Sequence, residues 1–164
     1  MDSEPAVAQT DIADLPAEFG PAAVLLDVRE DDEWTRGHAA GAQHIPMGEV
    51  PARLDEIDAT ATLYVICKAG GRSARVAQFL AGNGYEPVNV NGGMLAWAHA
   101  GRPVVTDDGG PGSIHVRHPD GYEDGAAAFV AAVAAAAKAK GWHYSQRTVS
   151  VTRTADAGEG GVGK

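Results

Sequence analysis

The sequence has one cysteine in 164 residues, few aromatics at 6%, no excess of basic residues and no long hydrophobic run. A single thiol excludes an intrachain disulfide and any zinc site built from several thiolates, and it removes the chain from the class of secreted disulfide scaffolds. With few aromatics and 21 glycines, the 45% hydrophobic share rests on small side chains, so the expected core is modest. The formal charge of -9 and pI near 5.0 oppose a general nucleic-acid or anionic-membrane surface. An anionic substrate therefore needs a local positive site. The longest small-apolar run, Ala126 to Ala137, covers twelve residues and ends at Lys138, short of the roughly 20 that a bilayer requires. The opening MDSEPAVAQTDIADLP carries acids where a signal peptide needs a basic region, and the expectation is a cytoplasmic protein.

What is present has the pattern of an α/β domain. Val24 to Val28 (VLLDV) and Leu63 to Ile66 (LYVI) are short β-branched and aliphatic runs, each followed by polar or Gly-rich residues and then a helical pattern. These are βα units around a parallel sheet. Asp31 to Thr35 predicts a short helix with acids at its N-terminal end, and Glu49 to Ile57 another, with Val50, Leu54 and Ile57 on one face. A third helix runs from Arg72 to Ala81, striped by Val76, Phe79 and Leu80 and stopped by Gly82 and Gly84. Val88 to Val90 then predicts a strand, Gly92 and Gly93 a turn, and Met94 to His99 a short helix.

The segment Asp107 to Ser113 (DDGGPGS) has linker chemistry. Residues 1–106 hold 7 basic and 15 acidic residues against 6 and 7 in 107–164, so the acidity belongs to the first part. The predicted organisation is a tail over 1–7, a domain over 8–106, a linker over 107–113 and a small α+β extension over 114–154. In that extension we expect a strand at Ile114–Arg117, an Ala-rich helix over Glu123–Lys140 and a strand from His143 to Arg153 carrying Val149 and Val151. With Phe129, Val130 and Val133 as its bulky apolar residues, the helix needs a partner surface. The ending ADAGEGGVGK, 155–164, reads as disordered.

Cys67 follows a buried-type strand, and Lys68, Ala69, Gly70 and Gly71 lead into the helix that begins near Arg72. In such a loop several backbone N–H groups and the positive helix end face the sulfur, lower the thiol pKa and create an anion pocket. Glycines let the loop curl, and Lys68 and Arg72 add positive charge. The bland reading is a small buried hydrophobe at a strand end. Strand, loop, cations and helix together favour a nucleophile.

LLDVRE at 25–30, GHAAGAQHIP at 37–46, CKAGGRS at 67–73 and NGGMLAW at 91–97 together resemble a single-domain rhodanese, a sulfurtransferase, over about residues 8–105. The resemblance implies a central parallel sheet flanked by helices, with Cys67 carrying a persulfide. It also implies supporting roles for Asp27, Arg29 and Trp97, and it matches His38, Gly41, Ile45 and Pro46. Ala39 and Ala40 stand where the family more often has a larger aliphatic residue and proline. Cys67 and Arg72 enclose four residues, whereas a phosphatase loop encloses five. This disfavours a Cys-dependent phosphatase or arsenate reductase.

The expected activity is transfer of sulfane sulfur from thiosulfate or a persulfide donor to a thiol acceptor, or to cyanide in vitro, without metal or organic cofactor. A persulfide carrier for a partner protein and an inactive sensing domain are the alternatives, and neither nucleic acid nor membrane is an expected partner. Asp27 and Arg29 read as an ion pair with neighbours such as Glu33 rather than as catalysts. His38 and His44 read as loop-capping residues, and His115, His118 and His143 as solvated residues that complete no metal set.

Overall fold

The computed structural model describes residues 7–114, 121–145 and 150–153. Five parallel strands form the sheet: β1 (Ala8–Thr10), β2 (Ala23–Asp27), β3 (Gln43–His44), β4 (Thr62–Ile66) and β5 (Pro87–Val90), in the order β1-β5-β4-β2-β3. The α/β class expected from the βα spacing is the architecture found. Each VLLD- or LYVI-type run is apolar on both sides because a parallel sheet is covered on both faces.

Alternation along the strands divides the core in two. Leu26, Val28, Leu63 and Val65 pack with Val76, Phe79 and Leu80 of α2 (Gly71–Gly82) and with Phe129, Val133 and Ala137 of α4 (Ala126–Lys140). Their neighbours Leu25, Ile66 and Val90 pack with Met94 and Trp97 of α3 (Gly93–His99) and with Ile12, Leu15 and Ile114. The period of two thus sends adjacent residues of one strand into different clusters. The Ala-rich α4 finds the partner surface it needs in the first cluster, where the Phe79 and Phe129 rings meet edge to face, centroids 5.8 Å apart.

Several elements differ from the sequence expectations. Glu49–Ile57 is not an α-helix but two 3-10 segments, Met47–Ala52 and Leu54–Glu56. Pro51 disfavours α geometry at Val50, and Arg53, at φ -122° and ψ 27°, divides the two. The strands β1 and β3 went unpredicted because three and two residues carry no readable alternation. The expected strand His143–Arg153 is two antiparallel strands, β6 (Trp142–Ser145) and β7 (Ser150–Arg153), with Trp142 opposite Arg153. No glycine, proline or asparagine marks the reversal between them.

The Asp107–Ser113 segment lies along the domain. His38 and Val105 exchange backbone hydrogen bonds at 2.8 Å each, Gly112 N–H donates to Val104 and Ser113 N–H to the Arg36 carbonyl. Of the predicted strand Ile114–Arg117, Ile114 is buried in the core without strand geometry. The rest of it, Val149 and the 155–164 ending lie outside the described residues.

Candidate active site

The short α1 (Asp31–Arg36) follows β2, and α2 follows β4, so the C-terminal ends of these two adjacent strands bring together the residues of interest. Cys67 is the first residue past β4 and is 1% exposed. The next residues curl because Gly70 takes φ +109° before α2 starts at Gly71, a conformation that favours glycine. The result is a backbone N–H from Gly70 donating to Cys67 Sγ at 3.1 Å. The loop is held from the other side by α3: Met94 N–H donates to the Cys67 carbonyl at 2.8 Å and Leu95 N–H to that of Lys68 at 3.0 Å. Gly93, at φ +56°, permits this approach, since a Cβ there would lie 2.4 Å from the Cys67 carbonyl oxygen.

Arg72 has a different environment from the open cation expected. Its Nη1 and Nη2 donate to the two carboxylate oxygens of Glu33 at 2.8 and 2.9 Å, and Nη1 also donates to the Asp124 carbonyl at 3.1 Å. The side chains are 13% and 3% exposed. Burial opposes ionisation of both groups, but the paired hydrogen bonds and charges prevail: the Glu33 carboxyl is held below its ordinary range and the Arg72 guanidinium above its own. A negative charge on Cys67 would act on Arg72 in the same direction as Glu33. Of the two cations around the loop, Lys68 and Arg72, the charge of Arg72 is therefore answered within the protein.

Asp27 and Arg29 pair with each other rather than with the Glu33 carboxylate. Arg29 Nε donates to Asp27 Oδ1 at 3.0 Å and Nη2 to Oδ2 at 2.8 Å, while Nη2 also reaches the Gly37 carbonyl at 2.8 Å. Glu33 contributes to Arg29 only its backbone oxygen, at 3.5 Å. Both side chains are fully buried. This pair fastens the end of β2 to the middle and the C-terminal end of α1, a structural task. Trp97 belongs to the core cluster that does not contain Cys67, donates through Nε1 to the Pro103 carbonyl at 2.8 Å, and lies under the Arg102 guanidinium. It anchors the chain beyond α3.

His38 and His44 do cap loops, through the Trp34 and Arg29 carbonyls at 2.8 and 2.7 Å. Both rings also stack on Trp34, at 3.5 and 4.6 Å between centroids, an arrangement that sequence spacing did not reveal. Of the other histidines, 115 and 118 lie outside the described residues. Among the described residues no cluster of three His, Cys, Asp or Glu side chains is placed to hold a metal, and no helix is long and apolar enough to cross a membrane.

Sequence reasoning missed two buried polar residues at the sulfur. Ser73 Oγ lies 3.3 Å from Cys67 Sγ and donates to Asn89 Oδ1 at 2.6 Å. Asn89 Nδ2 in turn donates to Gln9 Oε1 at 2.9 Å. The available signals were a serine on the same face of α2 as Val76, Ala77 and Leu80, and an asparagine inside the apolar run PVNV. A polar residue on a buried face has to find a hydrogen-bond partner.

The fold that carries this cysteine, at a strand end inside a tight loop that opens a helix, has known relatives. The Rhodanese-like domain profile matches residues 10–100, and the chain belongs to that family. YtwF of Bacillus subtilis (strain 168) is 40% identical over 79 residues, which is 48% of this chain and 77% of that protein. A protein of Allochromatium vinosum named Sulfurtransferase is 34% identical over 87 residues, 52% of this chain and 81% of that one. Among solved structures, a rhodanese-like domain protein from Staphylococcus aureus superposes with a TM-score of 0.52 at 35% identity, covering 56% of this chain and 91% of that one. The family match ends before the Asp107–Ser113 segment and α4.

Proposed function

We propose that this protein is a sulfurtransferase that carries sulfane sulfur as a persulfide on Cys67. The observation that carries the reading is the Gly70 N–H on Cys67 Sγ at 3.1 Å, in a loop entered from a buried strand and closed by α2. Such a donor stabilises an anionic sulfur and the charge that develops on it. Membership of the family and a relative named Sulfurtransferase support the same reading.

In the first half-reaction the Cys67 thiolate attacks the outer sulfur of thiosulfate or of a persulfide donor. The donor's S–S bond breaks and its electron pair leaves on sulfite or on a thiolate, while a new S–S bond forms on Cys67. In the second, an acceptor thiolate takes that outer sulfur and the Cys67 thiolate is regenerated. The backbone N–H groups of Lys68, Ala69, Gly70, Gly71 and Arg72 form the anion-binding loop. Lys68 supplies the charge that draws in a donor, and Arg72, paired with Glu33, braces the loop. Asp27, Arg29 and Trp97 hold its surroundings in place. With no second cysteine in the sequence, the persulfide passes to an external acceptor rather than closing an internal disulfide.

The test is turnover with thiosulfate and a thiol or cyanide acceptor. Wild-type protein should turn over and Cys67→Ser should not, with the fold intact by circular dichroism. Activity retained in Cys67→Ser would overturn the assignment. Stoichiometric sulfur uptake without turnover would replace the enzyme by a carrier.

A further inference from the structure

Ser73, Asn89 and Cys67 are 0%, 4% and 1% exposed, so the hydrogen bonds among them must be satisfied without bulk water. A serine hydroxyl has one proton. Asn89 Oδ1 is an acceptor only, and its 2.6 Å separation from Ser73 Oγ places that proton between these two oxygens. Asn89 is itself oriented, because its Nδ2 donates to Gln9 Oε1 at 2.9 Å and, at 3.4 Å, to the Gly70 carbonyl. What Ser73 then presents to Cys67 Sγ, 3.3 Å away, is a lone pair. A lone pair accepts a bond from a thiol S–H and opposes a thiolate. For the hydroxyl to donate to the sulfur anion it must turn away from Asn89 and leave Oδ1 buried without its donor.

From this geometry we infer that Asn89 is a positioning residue that acts on Cys67 through Ser73, directing the hydroxyl proton away from the sulfur and so favouring the resting thiol over the thiolate. The inference rests on Cys67 being the reacting thiol. It names a setting of that thiol's reactivity that the loop alone does not provide: the Gly70 N–H favours the anion, and the Asn89–Ser73 pair restrains it. The charged groups on the elements around Cys67 are Lys68 in the loop, Arg72 and Arg75 of α2, Glu33 of α1 paired with Arg72, the other α1 residues Asp31, Asp32 and Arg36, Asp124 ahead of α4, and the closed Asp27–Arg29 pair at the end of β2. Strand β5 contributes Asn89 and no charge, and the titratable residue of α3, His99, stands at the helix end away from the loop.

The experiment titrates the one thiol in the chain by the pH dependence of its alkylation with iodoacetamide, using the full-length protein. Asn89→Leu removes the nearest acceptor and leaves Ser73 the Gly70 carbonyl at 3.2 Å and Cys67 Sγ at 3.3 Å. A sulfur anion is the stronger acceptor of the two, and the alkylation midpoint should fall by about one pH unit, an approximately tenfold gain in thiolate at a pH below both midpoints. In a Ser73→Ala background the same Asn89→Leu change should leave the midpoint where Ser73→Ala alone puts it. No shift in Asn89→Leu, or an equal shift with and without Ser73, would overturn the inference. Should Asn89→Leu fail to fold, Gln9→Ala at the exposed end of the relay replaces it. Without Gln9, Asn89 Nδ2 keeps only its long 3.4 Å contact to the Gly70 carbonyl, the amide can turn its NH2 to Ser73, and the midpoint should again fall; an unchanged midpoint overturns the inference. Alkylation needs no sulfur donor, so this result stands apart from the sulfurtransferase test. Failure to form a persulfide with the midpoint shifts intact would count against the proposed function and not against the relay.

Discussion

Replacing Glu33 by glutamine isolates the charge of the ion pair that braces the Cys67 loop. The variant keeps an oxygen that can accept the Glu30 N–H, which Glu33 Oε1 binds at 3.0 Å, and it removes the carboxylate that binds both Arg72 nitrogens. Breaking one side of a buried pair costs about 3–5 kcal/mol because the remaining charge is left without its partner. With the Glu30 bond kept and the Asp124 carbonyl still on Arg72, about 3 kcal/mol is expected. For a chain of this size that corresponds to a fall in Tm of about 6–12 °C at neutral pH. The pH dependence fixes the cause. The folded-state carboxyl titrates below its ordinary value of 4.5, so its contribution is fully present above that pH and is lost as pH falls through the folded value. Calorimetric scans of wild type and Glu33→Gln should therefore differ at neutral pH and converge as the pH falls through the lowered folded-state value of Glu33. Equal Tm values at neutral pH, or a gap of undiminished size in acid, would refute the role given to this pair.

Other consequences follow from particular contacts. Gly93→Ala puts a Cβ against the Cys67 and Lys68 carbonyls at a positive φ, so it should lower stability by about 2–4 kcal/mol, from backbone strain and overpacking together, and slow persulfide formation, checked by denaturant unfolding and a sulfur-transfer assay. Phe129→Ala empties a fully buried position in the cluster that holds Leu26, Phe79 and Cys67, and a loss of about 3–5 kcal/mol in one cooperative transition is expected. A separate early transition would show that α4 does not share this core. Trp97→Phe removes the hydrogen bond to the Pro103 carbonyl and should cost about 1 kcal/mol while leaving the alkylation rate of Cys67 unchanged.

The longer elements of the α/β domain were legible because their signals are local. VLLDV and LYVI are β-rich runs, and Val76, Phe79 and Leu80 recur at helical spacing. The strand–loop–helix setting of Cys67 was legible for the same reason, since its parts are contiguous in the chain. What spacing could not show is what folding brings in from far along the chain. Glu33 and Arg72 are 39 residues apart, Asn89 and Gln9 80 apart, and no periodicity connects them. A cation at the start of the helix after a Gly-rich loop reads as unpaired positive charge until its distant partner is known, and Arg72 is such a case. The Glu49–Ile57 stretch failed differently: its apolar spacing is helical, but Pro51 and the turn at Arg53 overrule that pattern.

The most direct measurement of the central claim is the intact mass of the protein after exposure to thiosulfate or a low-molecular-weight persulfide, followed by peptide mapping. Wild type should gain about 32 Da, one sulfur atom, located on Cys67 and removed by a thiol acceptor. Cys67→Ser should gain nothing. An unmodified wild-type protein, or an equal gain in Cys67→Ser, would contradict the account.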